Sequence, residues 1–146
     1  MRYALTAVFI AASCFSNVAI CQDDHVAIFK SVFGNVKVIR NKADIPASPG
    51  MPVLRADKIV SGTGAAGGIA FRDGTLVTIG PSTELEVSRY QFQPEDAKYD
   101  FSLYLKQGTT VYSSGKLGKL SPESVVVNTP KATVGIRGTR FIVEVE

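Results

Sequence analysis

Tryptophan is absent from this chain of 146 residues, and histidine occurs once, as His25. Cysteine occurs twice, at Cys14 and Cys21, both near the N-terminus. These scarcities narrow the chemistry. One histidine with no later cysteine cannot supply the ligands of a zinc centre. A Ser-His-Asp triad would need His25 held rigidly, yet it lies only a few residues from the start of the mature chain inferred below. The stretch "PEDAKYD" gathers Glu95, Asp96 and Asp100, but without the spacing or the glycine of a calcium loop. No catalytic residue, metal site or cofactor is therefore expected. Charge of one sign is lacking as well. Sixteen Lys and Arg against thirteen Asp and Glu leave +3, with no basic block and no arginine-rich helix. That balance argues against a nucleic-acid partner.

Long apolar runs are confined to the first residues. Arg2 precedes an apolar stretch from Tyr3 to Ala12, and polarity returns at Ser13, Ser16 and Asn17. Ala19-Ile20-Cys21 then offers small residues at the −3 and −1 positions, followed by "QDD". This is the layout of a secretory signal peptide over residues 1–21, with a mature domain over 22–146. An uncleaved anchor would need a span of ~20 apolar residues, and this one is shorter and interrupted by Asn17. A lipoprotein processed at "AASC" would lack the usual leucine at −3 of Cys14. Cleavage after Cys21 leaves a 125-residue chain without cysteine or membrane span. An exported domain of that size relies on its hydrophobic core rather than on disulfides.

Helical patterning is almost missing from the remainder. Short β-branched and aromatic runs alternate with Gly, Pro, Asp and Asn, which predicts about eight to ten short strands and an all-β single domain. "VAIFKSVFGNVKVIR" reads as one or two strands turning at Gly34-Asn35. "NKADIPASPGMPVL", with Pro46, Pro49 and Pro52, reads as a loop. Asp73-Gly74 separates two alternating runs and marks a hairpin. "RYQFQPEDAKYD" reads as a polar, aromatic connection, Gln107-Gly108 as a turn, and "GKLGKLSPES" as a flexible loop. Gly-Thr recurs at 62, 74, 108 and 138 at irregular intervals. This tilts the expectation toward a solenoid-like or roll-like sheet, with a β-sandwich as the alternative.

Two groups of side chains invite functional readings. Glu84 and Glu86 stand two residues apart on one strand face, ~7 Å apart. They oppose Leu85 and Val87, so they read as solvated charges rather than a glycosidase pair. Tyr90, Phe92, Tyr99, Phe101, Tyr104 and Tyr112 crowd one section of the chain. Tyrosines left exposed, Tyr104 and Tyr112 among them, could stack on sugars or anchor a protein, whereas the plainer reading has them covering a loop and the sheet edge.

The stretch "DKIVSGTGAAGGIAFRDGTLVTIGPSTELEV" resembles the first half of the FecR domain family, with Asp57, Ile59, Ser61-Gly62, Asp73-Gly74, Leu76, Ile79 and Leu85 on the family pattern. "VNTPKATVGIRGTRFIVEV" is similar to its closing signature, through Thr129-Pro130, Ala132, Val134, Gly135, Arg137, Gly138, Thr139, Phe141 and Val143. The likeness covers about Val36 to Val145 and is strongest over 57–145. It implies a periplasmic, solenoid-like β domain taking part in envelope signalling. Members that regulate ferric-citrate uptake also carry a cytoplasmic anti-sigma segment and a membrane span. This chain has no room for the former, so the expectation is the exported domain alone. Arg140 departs from the acidic residue usual after Arg-Gly-Thr, and a partner that contacts that position would differ here.

Arg137, framed by Gly135 and Gly138, which allow positive φ at little cost, is expected to stitch a turn by donating to backbone carbonyls or to Asp57 or Asp73. Anion or sugar binding is the alternative. The expected function is a non-catalytic module whose partner is another envelope protein, against a peptidoglycan- or polysaccharide-binding module.

Overall fold

In a computed structural model the described residues are 24–146. The expected signal peptide lies outside them. Twelve strands form one curled sheet. In chain order they are β1 (His25–Phe33), β2 (Val36–Arg40), β3 (Ala43–Pro46), β4 (Pro52–Leu54), β5 (Lys58–Ser61), β6 (Ala66–Phe71), β7 (Leu76–Ile79), β8 (Glu84–Gln93), β9 (Lys98–Ser113), β10 (Val125–Asn128), β11 (Thr133–Gly135) and β12 (Arg140–Val145). One short helix, α1 (Lys116–Leu120), precedes β10. The chain is an all-β single domain. Among the described residues no helix is long and apolar enough to cross a membrane.

The sheet folds over itself because β9 serves both halves. Its first part pairs with β8 and, in parallel, with β10. Its last residues pair with β7 and β12. One layer therefore runs β4-β1-β6-β7-β9-β12, and the other runs β3-β2-β5-β8-β9-β10-β11. Alternation fills the space between them. Phe29, Ile69, Val77 and Ile79 point inward from the first layer, and Val38, Ile59, Leu85, Leu103 and Val127 from the second. Phe71, Tyr90, Phe101 and Tyr112 join the layers in an aromatic chain with centroids 4.8 to 5.8 Å apart. Among the described strands every pairing but β9–β10 is antiparallel. The four Gly-Thr sites accordingly sit in four different settings rather than in repeated rungs.

Gly108 makes the bend in β9. It was expected to be a turn, but β9 runs through it without reversing. Its φ is +88°, and a Cβ there would lie 2.3 Å from the Thr83 hydroxyl and 2.5 Å from the Thr83 Cα. A register shift at the neighbouring Lys106 adds to the bend. The Thr83 hydroxyl accepts from the Thr109 N–H at 3.0 Å. Ser61 Oγ accepts from the Thr83 N–H at 2.9 Å and donates to the Gly80 carbonyl at 2.6 Å. The bend is thus fastened to β5 and to the β7–β8 turn.

Three further segments differ from the sequence expectation. The proline-rich "loop" contains β3 and β4, short edge strands in which Pro46 and Pro52 fall at a strand end and cost little pairing. The aromatic connection is the far end of a long β8–β9 hairpin, closed by a 3-10 turn at Pro94–Asp96 with Ala97 at φ +50°. The "flexible loop" holds α1, whose Leu117 is fully buried. Gly34-Asn35 does turn the chain, but as a corner between layers, since β1 and β2 pair with other strands.

Asp73 anchors α1. Asp73-Gly74 closes the β6–β7 hairpin as expected, with Gly74 at φ +85°. The Asp73 side chain is buried, and its carboxylate accepts from Thr75 Oγ1 (2.6 Å), Tyr90 OH (3.0 Å), the Leu117 N–H (3.1 Å) and the Thr75 N–H (3.3 Å). Its carbonyl accepts from the Lys116 N–H at 2.8 Å. Gly115 approaches so closely that a Cβ would stand 2.2 Å from the Thr75 nitrogen. Burial, reinforced by the Asp73 charge, raises the Tyr90 phenol well above its ordinary range. Burial raises Tyr112 as well.

Gly108→Ala is expected to destabilise the fold by about 2 kcal/mol or more, through the left-handed backbone and the clash with Thr83. A lower midpoint in urea denaturation checks this. Tyr90 supplies a pH test. An unfolded tyrosine ionises near pH 10, so above that value the unfolded chain binds fewer protons than the folded one. Stability should therefore be level up to about pH 9 and fall as the pH rises further. Tyr90→Phe should be less stable at pH 7 and show a shallower alkaline decline, with Tyr112 sustaining the rest.

Candidate functional site

The residues singled out in the sequence fall into two groups in space. Of the first motif, Asp57, Ile59, Ser61, Asp73, Ile79 and Leu85 are buried, whereas Leu76 is 47% exposed. Asp57, almost fully buried, accepts from Arg40 Nε at 2.9 Å, from its Nη2 at 2.6 Å and from the Leu54 N–H at 2.8 Å. This bidentate pair ties the end of β2 to the turn before β5, and it raises the Arg40 pKa chiefly through the hydrogen bond itself. Asp73 and Gly74 are the hairpin and helix anchor described above.

The expected Arg137 stitch is therefore corrected. Both carboxylates proposed for it are already occupied, Asp57 by Arg40 and Asp73 by Thr75, Tyr90 and the start of α1. Arg137 stands exposed, near enough to Glu123 to lower that residue's pKa, behind the larger effect of the Ser121 hydroxyl. Of its two flanking glycines only Gly138 has positive φ, at +141°. Ile136, between them, is buried, and its N–H donates to the Val125 carbonyl at 3.2 Å. The glycines thus let one residue turn inward while the arginine projects away.

The other signature residues build the C-terminal end around it. Thr129 and Pro130 form the β10–β11 turn, where Thr129 Oγ1 accepts from the Ala132 N–H at 3.0 Å. Asn128 donates to Ser102 Oγ and accepts from Thr133 Oγ1, which locks the hairpin to β9. The Thr139 carbonyl accepts from the Ser114 N–H at 2.8 Å and starts β12 along β9. Phe141 stacks on Tyr112 at 4.8 Å.

Beyond these contacts the end is open. Among the described residues β11 pairs only with β10, and β12 only with β9. They belong to opposite layers, and a groove of about 400 Å³ separates them, lined by Val134, Ile136, Phe141, Ile142 and Val143. Val134 is 37% exposed and Ile142 66%. Arg137 and Glu144, both exposed, complete its lining.

The tyrosines divide differently from expectation. Tyr112 is 1% exposed and cannot meet a partner, so its assignment as a contact is corrected. Its hydroxyl lies near Thr75 and Ser114 but makes no hydrogen bond of good geometry among the described residues. Tyr90 is buried too. Strand alternation explains both: β8 continues into the segment taken for a connection and turns Tyr90 inward, and β9 runs on past Gly108 and turns Tyr112 inward. Tyr104 is half-buried on the outer face beside Lys58, Glu84, Glu86 and Lys106. Glu84 and Glu86 pair there with Lys106 at 3.2 Å and Lys58 at 3.9 Å, as solvated charges would. A second hollow, of about 410 Å³, lies at the far end of β8 between Arg55, Arg72, Gln91 and Gln93, with Arg55 paired to Asp24 at 2.8 Å.

Sequence reasoning missed Val134 and Ile142 as surface features. Val134 is marked there only as a signature residue, and Ile142 shares its strand face with Arg140 and Glu144. Only the free edges beside them distinguish them, and edges are a property of topology.

Comparison with known proteins agrees with the motifs. Neither curated proteins nor solved structures return a match. A family model described as FecR protein matches residues 57–146, more than half of the chain and inclusive of both motifs. The chain belongs to the FecR protein family.

Proposed function

We propose that this protein is an exported, non-catalytic module of the cell envelope that acts in sensing or signalling by binding another envelope protein at the open C-terminal end of its sheet. The observation that carries the reading is the groove between β11 and β12, where Val134 and Ile142 remain exposed beside unpaired strand edges. Exposed aliphatic side chains next to free backbone donors and acceptors suit an added segment of protein, which gains main-chain hydrogen bonds and apolar burial together. Arg137 and Glu144 both line the groove, so a segment that sets an acidic group against Arg137 and a basic one against Glu144 is favoured. Membership of the FecR family supports an envelope role. Export rests on the leader over residues 1–21 and places the domain in the periplasm.

The polysaccharide reading draws on the hollow between Arg55, Arg72, Gln91 and Gln93. Of the two tyrosines first considered for stacking, Tyr112 is buried and Tyr104 is half-buried on the outer face.

Capture from cross-linked envelopes tests the choice. The protein should retain a distinct envelope protein, and Val134→Asp should abolish that retention without changing the circular dichroism. Retention on purified murein, with no protein partner and no effect of Val134→Asp, would favour polysaccharide instead. Arg137→Ala should leave the melting temperature unchanged, because its guanidinium is exposed, while weakening capture roughly tenfold as a rim charge facing an acidic partner would.

A further inference from the structure

We propose that the free edge of β12 pairs antiparallel with β12 of a second copy of this chain, about a twofold axis at Ile142. This deepens the proposed function, naming a first occupant of the same open end, and rests on reading that end as an interaction surface.

The geometry of β12 carries the argument. Thr139 and Ser114 form a hydrogen-bonded pair, and the register continues as Arg140↔Ser113, Phe141↔Tyr112 and Ile142↔Val111. Hydrogen-bonded and non-hydrogen-bonded pairs alternate in an antiparallel ladder. Phe141, Val143 and Val145 therefore bond to β9, while the N–H and C=O groups of Arg140, Ile142 and Glu144 point out of the sheet edge. No described strand pairs with that edge.

The same three residues are the exposed ones, in the order cation, aliphatic, anion. An antiparallel copy centred on Ile142 sets Ile142 against Ile142, Arg140 against Glu144, and Glu144 against Arg140. Every edge donor and acceptor of the three residues finds a partner, and both charged pairs are of opposite sign. Sliding the second copy by two residues would lose this match, setting Ile142 against Arg140 in one direction or against Glu144 in the other, and sliding it by four would set Arg140 against Arg140 or Glu144 against Glu144. Like charges directly opposite in a sheet are destabilising, so the register is selected by charge as well as by the ladder. On the inner face Phe141 would meet Val143 of the second copy, covering side chains that are only half-buried in the single chain. An isologous contact needs this self-complementarity, and it closes at two copies.

Sedimentation equilibrium of the purified protein tests the proposal. A reversible dimer is expected. Arg140→Glu and Glu144→Arg should each weaken it at least roughly tenfold, since each places like charges in both symmetry-related pairs. The double variant, Arg140→Glu with Glu144→Arg, should restore it. Both substitutions are at exposed side chains, and unchanged melting temperatures of the three variants would confirm intact folding. A dimer indifferent to both single variants overturns the proposal. So does a protein that stays monomeric at every concentration. If that monomer still shows Val134-dependent capture of an envelope protein, self-pairing alone is wrong. If it captures nothing, the reading of this end as an interaction surface falls with it.

Discussion

The buried carboxylate of Asp73 is the constraint from which the far part of the molecule takes its position. A charge removed from water must be met by donors, or the fold forfeits several kcal/mol. Here the donors come from three parts of the chain: Thr75 in its own turn, Tyr90 late in β8, and the Leu117 N–H in α1. Satisfying them at once fixes the β6–β7 hairpin against the opposite layer and seats a helix too short to be stable by itself. Seating α1 in turn sets where the chain leaves β9 and returns as β10. The C-terminal end is located by this chain of contacts, several steps from its own sequence.

Bending β9 is the second requirement, and it is met by backbone rather than by charge. A strand of sixteen residues shared by two layers must change direction, and Gly108 with the Lys106 irregularity does so beneath Thr83. The polar relay Ser61–Thr83–Thr109 satisfies the groups that the bend leaves without ladder partners. The two requirements cooperate. Asp73 clasps the layers near one end of β9, the Thr83 relay holds its middle, and the aromatic chain from Phe71 to Tyr112 fills the space between.

This division explains what the sequence disclosed. Strands with clean alternation, such as Ile69–Phe71 and Leu85–Val87, were legible because period two and a dry face coincide. The Asp73-Gly74 hairpin was legible because its turn chemistry is local. The path of β9 was not, because a glycine at φ +88° inside a strand carries the same letter as a glycine in a reversal. Nor was α1 legible, since five residues without periodicity are helical only through the Asp73 contacts. The arginine assignment failed for a related reason. Spacing shows that a buried aspartate needs a donor, but not which of several cations lies near it, and Arg40 reaches Asp57 from β2 while Arg137 points away. The motifs marked the right residues. Their division into inward and outward sets required the fold.

The free edges of the curled sheet are not equivalent, and that inequality points to one end. β3 and β4, at the two extremities, have four and three residues, and each contains a proline at a strand end. Short strands bearing proline make poor templates for another chain. β11 has three residues, all exposed. β12 has six, no proline, an aliphatic side chain at its centre and a ladder in full register with β9 behind it. Arg140 and Glu144 would deter a strand whose charges match their own, and they accept one whose charges are reversed. Charge on this edge therefore acts as a filter more than as a barrier, and the sequence that passes it most directly is its own reverse.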